Sequence, residues 1–285
     1  MDKTIVITGG TGGIGLHTAI GLARTGARVV VTGRNAGRGA AAVERIRSEA
    51  GSAHVELVTG DLSDVSGVQA LAEALTERLD RIDVLIHNAG LMTQERQVNA
   101  DGLEADFAVN VVAPYRLTHA LLPLLEAAAP SRVLVLTGGT AGGKLLVDDL
   151  QAEKSFVPLP SYSNTKRCAE AMGLVLAGEL EPRGIGVHLV YPGRASTAMT
   201  QAMTPASLPW FMRPAWPAFR LLIPKDDGGK SAEKASRSSV HAATTSDLDG
   251  QSGVYIDTNS QRAQLHPSVH DASNQAAVMA LVRSV

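Results

Sequence analysis

Hydrophobic positions along the chain follow two alternating rhythms. Short runs dense in β-branched residues, "KTIVIT" at 3–8, "RVVVT" at 28–32, "HVELVT" at 54–59, "DVLIH" at 83–87, "RVLVLT" at 132–137, "IGVHLVY" at 185–191 and "GVYI" at 253–256, read as strands. Between them, apolar residues at helical spacing predict helices over 13–25, 37–50, 64–80, 102–128 and 160–181. The strand runs are apolar on both faces, which suits a parallel sheet covered on both sides. The expected fold class is therefore α/β, a doubly wound Rossmann-type sheet of seven parallel strands flanked by helices on both faces.

No linker, repeat or low-complexity tract interrupts this rhythm before about residue 199, so residues 1–285 are read as a single domain. Residues 199–224, "MTQAMTPASLPWFMRPAWPAFRLLIP", break it. They hold both tryptophans, two of the four phenylalanines and five of the thirteen prolines. The tail returns to pattern, with apolar helical spacing at Val278, Leu281 and Val282.

Charge and cysteine content narrow the function classes. A formal net charge of -2 gives no electrostatic ground for nucleic acid or an anionic membrane as partner. The one cysteine, Cys168, excludes an internal disulfide framework, and no Cys/His cluster has metal-ligand spacing, so no metal is expected. The opening "MDKTIVITGG" runs directly into a strand, so neither a signal peptide nor a stable membrane anchor is expected and cytoplasm is the default location.

The first strand leads into "TGGTGGIG", Thr8 to Gly15, followed by the apolar-periodic "LHTAIGLARTG". Gly9, Gly13 and Gly15 stand where a strand must turn tightly into a helix, let a pyrophosphate approach the backbone and pack that helix on the sheet. Thr8, Thr11 and Ile14 belong to the same stretch. At the end of the second strand, "VVVTGRN" has Gly33 where an NAD enzyme needs a carboxylate for the ribose hydroxyls, and Arg34 follows. A guanidinium is then available for a 2′-phosphate, and NADP(H) is the expected cofactor.

The spacing G-x-x-x-G-x-G resembles that of the short-chain dehydrogenases/reductases. Further motifs in family order are "GDL" with Asp61 and Leu62, "NAG" at Asn88, Ala89 and Gly90, Asn110 in "FAVNVVAPYRLT", "YSNTK" from Tyr162 to Lys166, and "YPGRAST" from Tyr191 to Thr197. The resemblance covers essentially the whole chain, and "DGLEADFAVN" with "DDLQAEKSFVPLPSY" is most similar to the retinol-dehydrogenase-like branch. It implies that Asp61 meets the adenine, that the backbone of Asn88, Ala89 and Gly90 lines the cofactor, and that Pro192, Gly193 and Thr197 hold the nicotinamide end.

Tyr162 and Lys166 are four apart on a predicted helix, so both side chains leave one face. A carbonyl accepting hydride needs a proton, and a nearby ammonium would draw the phenol down from its ordinary value near 10. The resemblance gives Tyr162 the acid/base role, makes Lys166 its tuner and the holder of the nicotinamide ribose, and makes Asn110 a shaper of a water-mediated proton route. The family also places a serine donor at the end of the fifth strand, and "VLTGGT" contains none. Counting from the strand start puts Gly138 in that place, counting back from Tyr162 puts Thr137 there, and Thr140 is a second hydroxyl in the loop.

By the same resemblance 199–224 is a lid, and its apolar side chains predict a lipophilic small-molecule substrate. Other readings of the lid are packing on the domain body, dipping into a membrane or gripping a protein partner. Helices 102–128 and 160–181 are the candidate faces for a homo-oligomer. The leading expectation is an NADPH-dependent oxidoreductase acting on carbonyl or hydroxyl carbons. The alternatives are a non-redox enzyme on the same fold, performing cyclisation, dehydration or rearrangement in a biosynthetic pathway, and an NADP(H)-sensing binding protein.

Overall fold

The computed structural model describes residues 3–138 and 143–285. In it the β-branched runs form β1 (Thr4–Ile7), β2 (Arg28–Gly33), β3 (Val55–Thr59), β4 (Val84–His87), β5 (Ser131–Leu136), β6 (Ile185–Val190), β7 (Tyr255–Ile256) and β8 (Arg262–Ala263). One sheet holds them in the order β3-β2-β1-β4-β5-β6-β7-β8. The first seven are parallel, as expected, and β8 adds an antiparallel edge that its two exposed residues did not announce.

Alternation along each strand feeds two cores. Ile5 and Ile7 pack with Val29, Val31, Leu16 and Ile46 on one face, while Val6 packs with Leu85, Val133, Phe107 and Met172 on the other. The first face is covered by α1 (Gly13–Ala23) and α2 (Ala36–Ala50), the second by α3 (Val65–Thr76), α4 (Ala113–Ala120) and α5 (Pro158–Leu180). Helix α6 (Lys230–Thr244) returns to the α1 face and α7 (Ala272–Arg283) to the α5 face.

Side chains placed for capping set several of these starts. Asn35 accepts from Arg38 N before α2, and Asp64 from Gly67 N before α3. The helix expected over 102–128 is not continuous. It opens as a turn at Ala105–Phe107, widens into a π-helical stretch at Ala108–Val112, becomes α4, and breaks at Leu121 before a last turn at Leu122–Glu126. The irregular region 199–224 resolves into short helices, Ala198–Gln201 and Trp216–Arg220, and tight turns at Pro205–Ser207 and Trp210–Ala215.

Strand order reverses between β1 and β4, which opens a crevice at the carboxyl ends of the strands. Thr8 follows β1 there and Asn88 follows β4.

Candidate active site

Thr8 and Asn88 knit the two sides of this crevice together. The Thr8 hydroxyl donates to Ile86 O at 3.3 Å and accepts from Asn88 N at 3.1 Å and Ala89 N at 3.2 Å. Asn88 Nδ2 donates to the carbonyls of Thr8 at 2.9 Å and Gly9 at 3.0 Å. The glycine requirement is now specific. Gly9 has φ +65° and Gly13 φ +53°, and a Cβ on Gly15 would stand 2.5 Å from Gly9 O and strike the Asn88 amide.

Helix α1 begins after Gly12, which has no capping side chain, and its first turn carries no acid. Its leading amides are thus left for a ligand, and a Cβ built on Gly12 meets nothing within 4 Å. This open, amide-lined turn fits a nucleotide pyrophosphate. Arg34 is exposed just past β2, while Gly33 abuts Thr11, 2.8 Å from a built Cβ, so packing on Thr11 is a second reason for glycine there. Ile14 is half-buried against Ala195, Ala232 and Ala235.

Asp61 holds a local turn, accepting from Ser63 N at 3.0 Å and Ser63 Oγ at 2.7 Å, and is exposed; Leu62 packs on the core. Pro192 O accepts from Thr258 Oγ1 at 3.4 Å, and Gly193 has φ +91° with the Thr258 hydroxyl 2.5 Å from where a Cβ would lie. Thr197 caps the Ala198–Gln201 helix, exchanging hydrogen bonds with Thr200, and its methyl lies 3.2 Å from a Cβ built on Gly13. The start of the lid therefore abuts the glycine turn.

Three groups converge on Gly90. A Cβ built there would lie 3.4 Å from Asn110 Oδ1, 3.5 Å from Lys166 Nζ and 3.8 Å from Met199 Cε. The π-helical stretch supplies Asn110, which accepts from Leu91 N at 2.9 Å and donates to Leu91 O at 2.8 Å and Thr165 Oγ1 at 2.9 Å. Thr165 in turn donates to the Tyr162 carbonyl at 2.8 Å. Asn110 thus ties the "NAG" segment to the turn of α5 that bears Tyr162 and Lys166.

Lys166 is buried, with Nζ 3.0 Å from Leu136 O and 5.9 Å from the centroid of the Tyr162 ring. Burial pushes its pKa down to about 8, against the opposing pull of Glu170 and Asp106. The expectation that the ammonium draws the phenol down is not met in this structure. Burial first, then the charges of Asp106 and Tyr191, hold Tyr162 above its usual value.

Two of the three candidates at the strand end are described. Thr137 is buried, its N donates to Val190 O at 2.8 Å, and its hydroxyl lies 3.5 Å from the same carbonyl and faces Glu170 and Tyr255. Gly138 is the residue that faces Lys166, with a built Cβ 2.9 Å from Lys166 Cγ. Thr140 lies outside the described residues.

Sequence reasoning missed a pair of carboxylates beside this group. Glu104 caps the turn before the π-helical stretch, accepting from Asp106 N at 3.0 Å and Phe107 N at 2.8 Å. Asp106, fully buried, accepts from Thr93 N at 2.9 Å through Oδ1, while Oδ2 has no hydrogen-bond partner among the described residues. Burial and then the Glu104 charge raise Asp106 to about 7, with Lys166 pulling the other way. Two acids among Leu103, Phe107 and Ala108 were the available signal, since carboxylates are seldom buried without a task. Cys168 is buried and its thiol is pushed up by burial, which makes it inert.

Comparison with known proteins shows the family of the chain. The family described as short chain dehydrogenase matches residues 3–207. Mouse (Mus musculus) "Retinol dehydrogenase 12" is 33% identical over 255 residues, covering 89% of this chain and 77% of the relative. Human (Homo sapiens) "Dehydrogenase/reductase SDR family member 13" is 33% identical over 275 residues, covering 94% and 69%. Among solved structures, the "Pseudomonas aeruginosa RhlG/NADP active-site complex" has a TM-score of 0.68 at 26% identity, over 90% of this chain and 94% of that one. A protein from Mycobacterium paratuberculosis shares the fold with a TM-score of 0.75 at 24% identity, over 98% of this chain and 91% of that one.

Proposed function

The chain belongs to the short-chain dehydrogenase/reductase family, as a retinol-dehydrogenase-like member, and we propose that it is an NADP(H)-dependent oxidoreductase that interconverts the carbonyl and hydroxyl forms of a lipophilic small molecule. The observation that carries this reading is the convergence of Asn110, Lys166 and Tyr162 beside an open glycine turn.

A nicotinamide cofactor, when bound, supplies or accepts the hydride. The turn around Gly12 and Gly13 would hold its pyrophosphate, with Thr8, Gly9, Thr11, Ile14 and Gly15 shaping that turn. Arg34 would pair with a 2′-phosphate, Asp61 and Leu62 would border the adenine, and Asn88, Ala89 and Gly90 would line the middle. Pro192, Gly193 and Thr197 would border the nicotinamide end. The absence of a carboxylate at Gly33, the exposure of Arg34 and the NADP complex of RhlG support the phosphorylated cofactor.

Tyr162 gives its phenolic proton to the carbonyl oxygen as negative charge develops there, and takes it back in the reverse direction. Lys166 stays charged below about pH 8 and, with Nζ 5.9 Å from the centroid of the Tyr162 ring, would hold the nicotinamide ribose beside the phenol. Asn110, spanning Leu91 and Thr165, keeps these groups in register. The Thr137 hydroxyl is directed at Glu170 and Tyr255 and position 138 is glycine, so among the described residues the phenol of Tyr191, just past β6 and close enough to Tyr162 that its charge opposes ionisation there, is a candidate second O–H donor. The lid's apolar side chains and the relatives named for retinol support a lipophilic substrate.

The test is NADPH oxidation by wild type and Tyr162→Phe over lipophilic aldehydes, ketones and quinones, after both are shown to bind NADPH. Turnover by wild type that Tyr162→Phe loses is the expected result. Substrate consumption at constant NADPH absorbance would replace this reading with the non-redox one, favoured by the missing serine; cofactor binding without conversion would replace it with sensing.

A further inference from the structure

Asp106 and Asn110 stand one helical turn apart and grip the same stretch of chain. Asn110 accepts from Leu91 N and donates to Leu91 O, and Asp106 Oδ1 accepts from Thr93 N at 2.9 Å. That stretch follows Gly90, where a built Cβ lies 3.5 Å from Lys166 Nζ. The turn Ala105–Phe107 that carries Asp106 also packs against α5, the helix of Tyr162 and Lys166. Asp106 is thus held between its own turn, the chain after β4 and α5. Its neighbours along the chain, Leu103, Phe107 and Val111, belong to the core, so an apolar side chain would be the ordinary occupant of this place. A carboxylate with no exposed surface is costly there unless a cation compensates it.

The charges that meet at Asp106 come from each of these elements. Glu104, on the same turn, opposes its ionisation; Thr93, after β4, and Lys166, on α5, favour it. Arg96 is engaged elsewhere, with Nε 3.0 Å from Gln151 O and its charge acting on Glu104. At Lys166 burial opposes the charge, and Glu170 and then Asp106 support it. Glu170 is paired with Arg167 Nη1 at 2.7 Å, which partly cancels its field at the ammonium. At Tyr162 the Asp106 charge comes next after burial and ahead of Tyr191. A carboxylate so placed favours the charged form of the ammonium and the neutral form of the phenol.

We propose that Asp106 is a positioning residue for the reaction: the field of its carboxylate keeps Lys166 an ammonium and the proton on Tyr162, and so extends carbonyl reduction to higher pH. The role rests on the acid function given to Tyr162 above. Asp106 acts through Tyr162 and Lys166 and needs no contact with substrate.

The coupling is measured first without turnover, by NMR of the full-length protein carrying carbon-13 at Cγ of its aspartates. The Asp106 resonance is identified by its loss in Asp106→Asn, or in Asp106→Glu should the first variant not fold. It is titrated in wild type and in Lys166→Met, which replaces the ammonium by an apolar end suited to burial. Its midpoint should lie well above the ordinary carboxylate value and rise by about one pH unit or more when the ammonium is removed. An ordinary midpoint, or one indifferent to Lys166→Met, overturns the proposal. Rates of NADPH oxidation with the lipophilic carbonyl that wild type turns over are then compared at pH 6 and pH 8. A limb moved down by about one unit makes the loss in Asp106→Asn about fivefold larger at pH 8 than at pH 6. A merely structural defect lowers both rates by one factor, and equal losses overturn the proposal. A coupled titration in a protein that oxidises no NADPH overturns the acid role of Tyr162 and leaves the pairing of Asp106 with Lys166 standing.

Discussion

The methylene chain of Lys166 occupies the space that a side chain at position 138 would need, since a Cβ on Gly138 falls 2.9 Å from Lys166 Cγ and 3.2 Å from its Cβ. These are the near atoms of the lysine side chain, which cannot swing aside without moving Nζ from the Leu136 carbonyl. The glycine and the position of the ammonium are therefore one feature.

Restoring the serine expected of the family is consequently not a repair. Gly138→Ser should lower kcat and cost about 1–3 kcal/mol of stability through overpacking. Steady-state rates and urea midpoints check this; a gain in kcat would show that the Lys166 side chain yields freely.

The proposed mechanism gives two phenols, Tyr162 and Tyr191, roles at the substrate oxygen. Tyr162→Phe should reduce kcat by about 10²–10⁴-fold, the range of a lost general acid. Tyr191→Phe should reduce it by on the order of 10² with NADPH affinity unchanged, as for a lost donor to developing charge. Unchanged turnover in Tyr191→Phe would remove that residue from the mechanism.

Arg34 is exposed at the end of β2 and has no acidic neighbour in sequence to neutralise it. Arg34→Gln should raise the KM for NADPH about tenfold or more, the worth of a charged hydrogen bond, and leave that for NADH within about twofold. Equal effects on both cofactors would refute the 2′-phosphate contact.

Lys166 titrates at about 8 because burial penalises its charge. The ammonium is present below that value and lost above it, so kcat/KM for carbonyl reduction should fall as pH rises through about 8. Lys166→Arg keeps the charge, and whatever activity it retains should lack that limb in a pH–rate profile.

Asp106, raised to about 7, makes the opposite kind of statement about stability. Between the ordinary carboxyl value and about 7 the folded state binds the proton that the unfolded state has released, so stability contributed here declines as pH rises through that window. Asp106→Asn keeps an acceptor for Thr93 N and removes the titration. Comparing urea midpoints at pH 5 and pH 8, the wild type should lose more stability than the variant, by more than about 1 kcal/mol. Parallel pH profiles would show that Asp106 ionises freely.

Local chemistry made part of the site readable in advance. The glycines at 9, 13 and 15 announce a strand-to-helix turn because few other residues tolerate it, and the i, i+4 spacing of Tyr162 and Lys166 survives in any helix. The carboxylates at 104 and 106 were legible only as an oddity, since nothing in their neighbourhood along the chain says that Lys166 lies near. The π-helical widening at Asn110 left no mark in the apolar spacing, which it shifts by less than a turn.

The sequence by itself determined the alternation of strands and helices, the two-sided burial of the sheet and the glycine turn, because each follows from the hydrophobicity and backbone freedom of consecutive residues. Only the tertiary structure decided that Thr137 turns toward Glu170, that Lys166 fills the place beside Gly138, that Asp106 feels Lys166, and that the tryptophan segment stands open to its surroundings. Those outcomes depend on the register of β5 against β6 and on how α5 lies across them. Contacts between residues tens of positions apart are set by packing, and packing is a property of the assembled chain.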